Sequence, residues 1–352
     1  MPRFGIDELS MFAARLLEAG GASKTEGEVV GPSLVMADAQ GYASHGVMRI
    51  PFYLQMLKKG EIISGAELEI LHESNSTIVA DGNWGFGRVQ MGDLLELALD
   101  RVQSNGIVAA TLRHSGHIGR LGEYCHEAAS KGIVAWMVAN THGTAKRVAP
   151  PGGTQPRLGT NPLAFGIPAK PDPVVLDFST SATAEGKVRV HQIAGTPCPP
   201  GWLLDADAQP STDPNVLYNE PSGSIRPFGD RQDYKGFGLG LIVEILAGAL
   251  SGGRTSREHP LNPKGNCALL ILIDPSALGG TGHFQDEVDQ LIEYVRSSKL
   301  AEGVQEITLP GDPELVRLEQ SQQNGIEIDE AGWIILSELA AELGVTNPAN
   351  LH

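Results

Sequence analysis

The run Ser44-His45-Gly46-Val47-Met48-Arg49, followed by Ile50-Pro51, holds the residues with the clearest chemical potential in the chain. If the six form one helical turn, His45 and Arg49 stand four apart and project from one face, so a proton donor and a fixed cation reach one small volume. An arginine grips a carboxylate through two parallel charge-assisted hydrogen bonds, and a neighbouring imidazole can give a proton to the carbonyl oxygen beside it. The pairing suits a 2-oxo acid. Ser44 either caps the turn or hydrogen-bonds His45 and sets its tautomer. Pro51 disfavours helical geometry at Ile50, so the turn is expected to break there and a new helix to start with Pro51 in its first turn. The same histidine–arginine spacing also occurs on solvated helices, so its position in the fold decides its meaning.

A second histidine, His117, lies in His114-Ser115-Gly116-His117-Ile118-Gly119-Arg120, after a strand and before a helix, where free amides can face a ligand. It either orients a substrate, touches a cofactor phosphate with its adjacent amides, or is a loop histidine satisfied by backbone. No metal centre is expected, because His114, His117, His126 and His142 have no acidic or thiolate partner at a recognised spacing. The dinucleotide signature Gly-x-Gly-x-x-Gly is incomplete: Gln90 follows Gly85-Phe86-Gly87, and Leu241 follows Gly236-Phe237-Gly238, where the third glycine belongs. A standard Rossmann domain is therefore disfavoured. Lys235 offers positive charge to a pyrophosphate or ribose phosphate, with Gly236 permitting close approach, or it is a solvated lysine at a helix start. In Asn140 to Arg147 a histidine and two cations either tune substrate choice or decorate a loop.

At 352 residues the chain makes one large or two ordinary domains. With 26 basic against 42 acidic residues the net charge is -16, which argues against general affinity for nucleic acid or an anionic membrane. Cys125, Cys198 and Cys267 are too scattered for a disulfide framework or thiolate zinc site. The first residues lack the apolar core of a secretory signal, and Gly236 to Gly253, with Glu244 inside it, reads as a buried helix and not a span. A soluble, cytoplasmic protein is expected.

The elements that must position these residues follow from periodicity. Helices are expected from near Asp7 to Gly20-Gly21, from Lys24 to Ala39 and from Pro51 to Lys59, making a helical subdomain around the His45 motif. Strands and helices then alternate: strands at 67–71 and 77–80, a helix at 91–104, a strand at 107–112, a helix at 121–130 and strands at 133–140 and 174–179. Residues 195–233 read as an extended surface excursion, followed by a helix at 234–251, a strand at 268–274, a helix at 284–298 and two tail helices, the last at 334–343.

Eight segments in order carry a resemblance: Ser44-His45-Gly46-x-x-Arg49, His117-Ile118-Gly119, Val148-Ala149-Pro150-Pro151-Gly152-Gly153, Leu158-Gly159-Thr160-Asn161-Pro162, Leu176-Asp177-Phe178-Ser179-Thr180-Ser181, Gly201-Trp202-Leu203-Leu204-Asp205, Tyr234-Lys235-Gly236-Phe237-Gly238-Leu239 and Leu309-Pro310-Gly311-Asp312. From about residue 5 to 340 the chain resembles the malate/L-lactate dehydrogenase family of NAD(P)-dependent oxidoreductases, which is distinct from the Rossmann-type enzymes of the same names. The resemblance implies a homodimer with a mixed α/β, non-Rossmann fold: a large mixed sheet flanked by helices, with the two chain ends packed together. It implies an N-terminal helical part at 1–66, a cofactor-binding domain at 67–305 and a returning segment at 306–352. By resemblance, His45 is the proton donor, Ser44 its relay partner and Arg49 the carboxylate clamp. His117 is a substrate or cofactor contact or an alternative acid/base, and Thr160 is a substrate-side residue. Ile118, Gly119, Arg120 and Leu121 beside His117, together with Asp177, Phe178, Ser179, Lys235, Gly236, Pro310, Gly311 and Asp312, resemble segments that hold the dinucleotide. The implied reaction interconverts a small 2-hydroxy acid, such as malate or lactate, and its 2-oxo acid, with NAD favoured over NADP. Reduction of a cyclic imino acid or a diketo sugar acid needs the same donor and clamp, and a metal-dependent hydrolase or lyase is the alternative of a different class.

Overall fold

The computed structural model describes residues 1–259 and 263–350. In chain order it begins with strand Arg3–Phe4 (β1), helices Ile6–Ala19 (α1), Lys24–Ala39 (α2) and Ile50–Lys58 (α3), and strands Glu69–Glu73 (β2) and Thr77–Asp81 (β3). Helix Gly87–Asn105 (α4), strand Ile107–Ser115 (β4), helix Leu121–Ser130 (α5) and strands Val134–Asn140 (β5), Pro162–Ile167 (β6) and Val174–Ser179 (β7) follow. Helix Glu185–Ala194 (α6) and the short strands Leu203–Leu204 (β8), Pro210–Ser211 (β9) and Ser224–Ile225 (β10) lead to helix Tyr234–Val243 (α7) and strand Asn266–Ile273 (β11). Helices Thr281–Arg296 (α8) and Asp312–Asn324 (α9), strand Ile326–Glu327 (β12) and helix Glu330–Leu343 (α10) close the chain.

The main sheet has the order β2-β3-β4-β11-β5-β6-β7. Its pairs are antiparallel except β3 with β4, so the sheet is mixed. The late strand β11 enters between β4 and β5, which no Rossmann order allows. Its run Cys267-Ala268-Leu269-Leu270-Ile271-Leu272 is apolar without alternation because both faces are covered. On one face lie Met91, Leu94 and Leu95 of α4 with Leu121, Tyr124 and Cys125 of α5. On the other, Val243 and Ala247 pack on Val138, Leu163 and Leu269.

The chain ends meet in a second core. A capping box starts α2: Ser23 Oγ accepts from the Glu26 amide at 3.2 Å while Glu26 Oε2 accepts from the Ser23 amide at 2.7 Å. Pro51 sits in the first turn of α3, as the sequence implied, but the break expected at Ile50 is absent: Ile50 is helical at φ −55° and ψ −52°, and the chain breaks at Gly46 instead. Phe4, Leu9, Leu16, Leu34, Ile50 and Tyr53 bury against Ile326 and Leu336, and β1 pairs antiparallel with β12. These helices carry the His45 turn to the end of the sheet.

Three expectations change. Residues 195–233 are not merely a surface excursion: β8, β9 and β10 form a small sheet, and Cys198, Leu203, Leu217 and Ile225 share an apolar cluster with Val148, Leu158 and Val188. Strands of two residues leave no period to read. The helix expected at 234–251 is α-helical only to Val243, then widens into a π turn at Glu244–Ala249. The turn buries Glu244, which accepts from Asn140 Nδ2 at 2.9 Å, Asn161 Nδ2 at 2.7 Å and the Ser256 amide at 2.7 Å. That helix is also not buried all round, since Leu241, Ile242 and Ile245 face outward. Among the described residues no helix is long and apolar enough to cross a membrane.

Candidate active site

The His45 segment is two short 3₁₀ turns, Ala43–His45 and Val47–Arg49, broken at Gly46, where φ is −87° and ψ is −161°. The single helical turn expected from the sequence is not formed, because the extended backbone at Gly46 interrupts it. His45 and Arg49 nevertheless stay on one side. The Arg49 Nε–H donates to the Ser44 carbonyl at 2.7 Å, which folds the guanidinium back over the turn. Ser44 does not cap: its hydroxyl lies 3.0 Å from His45 Nδ1. From the loop after β4, His117 stacks on His45 with ring centroids 5.5 Å apart and planes 25° from parallel. Tyr53 OH lies 2.7 Å from His117 Nδ1. Each imidazole is thus fixed through Nδ1 by a hydroxyl, and neither Nε2 has a hydrogen-bond partner among the described residues.

The electrostatics around the pair are cationic. Burial first, then the charges of Arg49, Arg88 and Arg120, push His45 from 6.5 down to about 3. Burial and Arg49 also hold His117 well below the ordinary histidine range. Both rings are therefore neutral near pH 7. Burial raises the Asp38 carboxyl to about 7, against the hydrogen bond from the Val47 amide and the nearby Arg88.

A small pocket of about 20 Å³ is lined by Gln40, Tyr42, Arg120, Asp177, Gly311 and Glu314, and by none of His45, Arg49 and His117. It brings together three of the residues expected to hold a dinucleotide. Arg120 bonds Gln40 Oε1 and lies 4.5 Å from the centroid of the Tyr42 ring, and Tyr42 OH donates to Glu314 at 2.9 Å. Asp177 Oδ2 accepts from the Gly122 amide at the start of α5 at 2.7 Å, and burial raises its carboxyl to about 6. Pro310 is not part of that lining, but its carbonyl accepts from the amide of Val175, which is, at 3.1 Å.

Other expected residues are engaged elsewhere. Ile118 and Leu121 are core side chains, although the Ile118 amide donates to Asn266 Oδ1 at 3.0 Å. Gly119, at φ +80°, lets the Arg88 guanidinium approach. Phe178 packs edge-on against Phe228 at 5.8 Å, and Ser179 donates to the Ser181 carbonyl at 3.2 Å. Gly236 is required by packing, since a Cβ there would stand 2.5 Å from the Phe228 carbonyl oxygen. Lys235 is exposed. Asp312 bonds Arg296 at 3.0 Å and caps its own turn through the Leu309 amide. The Thr160 carbonyl accepts from Thr180, and no hydrogen bond joins Thr160 to the histidine pair among the described residues. In the 140–147 loop, His142 is buried with Nδ1 3.0 Å from Cys267 Sγ, Arg147 pairs with Glu185 at 2.8 Å and Lys146 donates to the Glu258 carbonyl at 2.7 Å. Among the described residues no group of three or more His, Cys, Asp or Glu is arranged to hold a metal ion.

Three residues at the site were not singled out from sequence: Tyr53, Asp38 and Arg88. Only Tyr53 carried a signal, standing four residues after Arg49 and eight after His45, on the same helical side.

Comparison with known proteins decides the family. The malate/L-lactate dehydrogenase model matches residues 4–337. The chain belongs to the malate/L-lactate dehydrogenase family. An L-lactate dehydrogenase of Cupriavidus necator is 35% identical over 325 residues, covering 91% of each chain. The structure of malate dehydrogenase from Pyrococcus horikoshii superposes with a TM-score of 0.88 at 29% identity, covering 98% of this chain and 96% of that one. A Δ1-piperideine-2-carboxylate reductase from Pseudomonas syringae gives 0.84 at 30% identity, covering 97% and 100%. Membership makes this family member an oxidoreductase of the dehydrogenase class, which implies a nicotinamide cofactor. Arg120, Asp177 and Gly311 could offer a cation, a carboxylate and backbone to part of that group, but the pocket they line, of about 20 Å³, has no room for a dinucleotide, and Asp312 and Gly236 are otherwise committed.

Proposed function

We propose that this enzyme interconverts a small 2-hydroxy acid and its 2-oxo acid, with His45 as proton donor and acceptor and Arg49 as the carboxylate clamp. The observation that carries the reading is the stacked pair of imidazoles beside Arg49, each tethered through Nδ1 with Nε2 left free. A nicotinamide, when bound, would supply or accept the hydride of this reaction. The protein's own task is the proton and the charge. Arg49 uses Nε on Ser44 and keeps its Nη nitrogens for a substrate carboxylate. Once that carboxylate is seated, the strongest charge opposing protonation of His45 is compensated, which favours the protonated ring that gives its proton to the growing alkoxide, although burial, the larger cause, still opposes it. In the reverse direction neutral imidazole accepts it. Ser44 holds the His45 ring in place, and Tyr53 does the same for His117, which lies against the substrate.

NAD is proposed over NADP on the family resemblance alone, since the pocket of about 20 Å³ that carries Asp177 and Glu314 has no room for a ribose and also presents Arg120. The outward apolar side of α7 and its π turn, with Leu241, Ile242 and Ile245 each more than two-fifths exposed, supports a homodimer. A second reading, reduction of a cyclic imino acid, uses the same donor and clamp and is favoured by the likeness to the piperideine carboxylate reductase. The test is nicotinamide absorbance with NADH or NADPH and a panel of pyruvate, oxaloacetate, longer 2-oxo acids and cyclic imines. Oxidation of NADH by a 2-oxo acid is expected. Turnover confined to imines would select the second reading, and no cofactor binding at all would defeat both.

A further inference from the structure

Each 3₁₀ turn closes its own hydrogen bond, Gly46 N to Ala43 O at 3.2 Å and Arg49 N to Gly46 O at 2.9 Å, but the break between them at Gly46 is held by side chains. From α2, Asp38 Oδ2 accepts from the Val47 amide at 2.7 Å. From α4, Arg88 Nη2 donates to the His45 carbonyl at 2.7 Å. These two bonds grip the peptides on either side of Gly46. The fit at Gly46 is close enough that a Cβ would fall on the Asp38 carboxylate, so a side chain there displaces either the turn or Asp38. Arg88 is in turn fixed by Ser33 Oγ and by Glu123, whose Oε2 lies 3.3 Å from Nη1 and accepts from Ser33 Oγ at 2.8 Å. Helices α2, α4 and α5 therefore converge on one five-residue stretch.

We propose that Asp38 and Arg88 are positioning residues that set the placement of His45 relative to Arg49 by gripping the Gly46 turn from opposite sides. The inference rests on the reading of His45 and Arg49 as donor and clamp. Arg88 stays buried with its guanidinium shared between the turn and Glu123, so the turn is tied to the start of the sheet-covering helix α5. Asp38 contributes an acceptor, and an amide oxygen can replace it. A misplacement of about 1 Å between reacting groups costs on the order of 100-fold in rate.

The experiment compares Asp38→Ala, Asp38→Asn and Gly46→Ala in the full-length protein. Turnover, NADH affinity by fluorescence and the titration of the His45 ring by NMR are measured for each. Asp38→Ala and Gly46→Ala are expected to lower kcat/KM by roughly 30- to 100-fold, with both kcat and KM affected because donor and clamp move together. NADH affinity should stay within about twofold, and the His45 ring should titrate closer to its ordinary range. Asp38→Asn, which keeps an acceptor for the Val47 amide, should return to within about fivefold of wild type. Wild-type kinetics and an unchanged His45 titration in Asp38→Ala would overturn the proposal. So would an Asp38→Asn enzyme as impaired as Asp38→Ala, since that assigns the effect to charge. If the wild type turns over none of the panel, the proposed reaction fails, and the His45 titrations in Asp38→Ala and Asp38→Asn still decide the positioning role.

Discussion

Replacing Arg49 with lysine tests the carboxylate clamp while keeping its charge. The Arg49 Nε–H donates to the Ser44 carbonyl at 2.7 Å, leaving the Nη nitrogens for a two-bond fork. Lysine loses the brace to Ser44 and one arm of the fork, each a charge-assisted bond of about 1.5–3 kcal/mol. The ammonium recovers part of this as a point charge, so the net loss is about 2–3 kcal/mol, or roughly 30- to 160-fold in kcat/KM. Most of it should appear in KM, because the carboxylate is held equally in ground and transition states. The assay is initial velocity against 2-oxo acid at saturating NADH, with NADH affinity measured separately by fluorescence. A KM within twofold of wild type would refute the clamp, whatever happens to kcat.

Two further outcomes follow from the geometry. His45, held neutral down to about 3 when folded and protonating near 6.5 when unfolded, contributes stability that is complete above pH 6.5 and lost as the pH falls toward 3. Between pH 7 and 5 the wild type should therefore lose about 1 kcal/mol more stability than His45→Gln, after allowing for the ring's partial exposure; parallel urea midpoints for the two proteins would contradict the assignment. Ile242→Asp, placed on the outward apolar side of α7, should convert a dimer to monomers in sedimentation velocity while leaving the far-UV spectrum unchanged, and an unaltered sedimentation coefficient would remove that face from the interface.

What could be read from the chain was local and contiguous. Ser44, His45, Arg49 and Pro51 occupy one short stretch, so their grouping survives even though the turn between them is not helical. Helices α2 and α5 and strand β7 were legible to the residue for different reasons: α2 opens at the Ser23 capping box, α5 buries the stripe Leu121, Tyr124, Cys125 and Ala128, and β7 starts directly after Pro173. Asp38, Tyr53 and Arg88 were not legible as site residues: each reaches the site across the packing of helices that share no local pattern with the His45 turn. The start of α4 at Gly87 was missed because Gly87 and Arg88 belong to no apolar stripe; Gly87 is small so that the Gly116 carbonyl can come close. The outward face of α7 was misread for a different reason. A helix apolar all round reads as buried, and a surface that a second subunit would cover has the same composition as a core.

The most direct test of the central claim is His45→Ala assayed for turnover and NADH binding on the same preparation. The account predicts that kcat falls by roughly 100-fold or more while the NADH dissociation constant stays within about twofold, because in the proposed reading the ring moves a proton and is not among the residues assigned to the dinucleotide. Turnover at the wild-type rate would contradict it and transfer the proton to His117, the only other imidazole stacked at the site among the described residues.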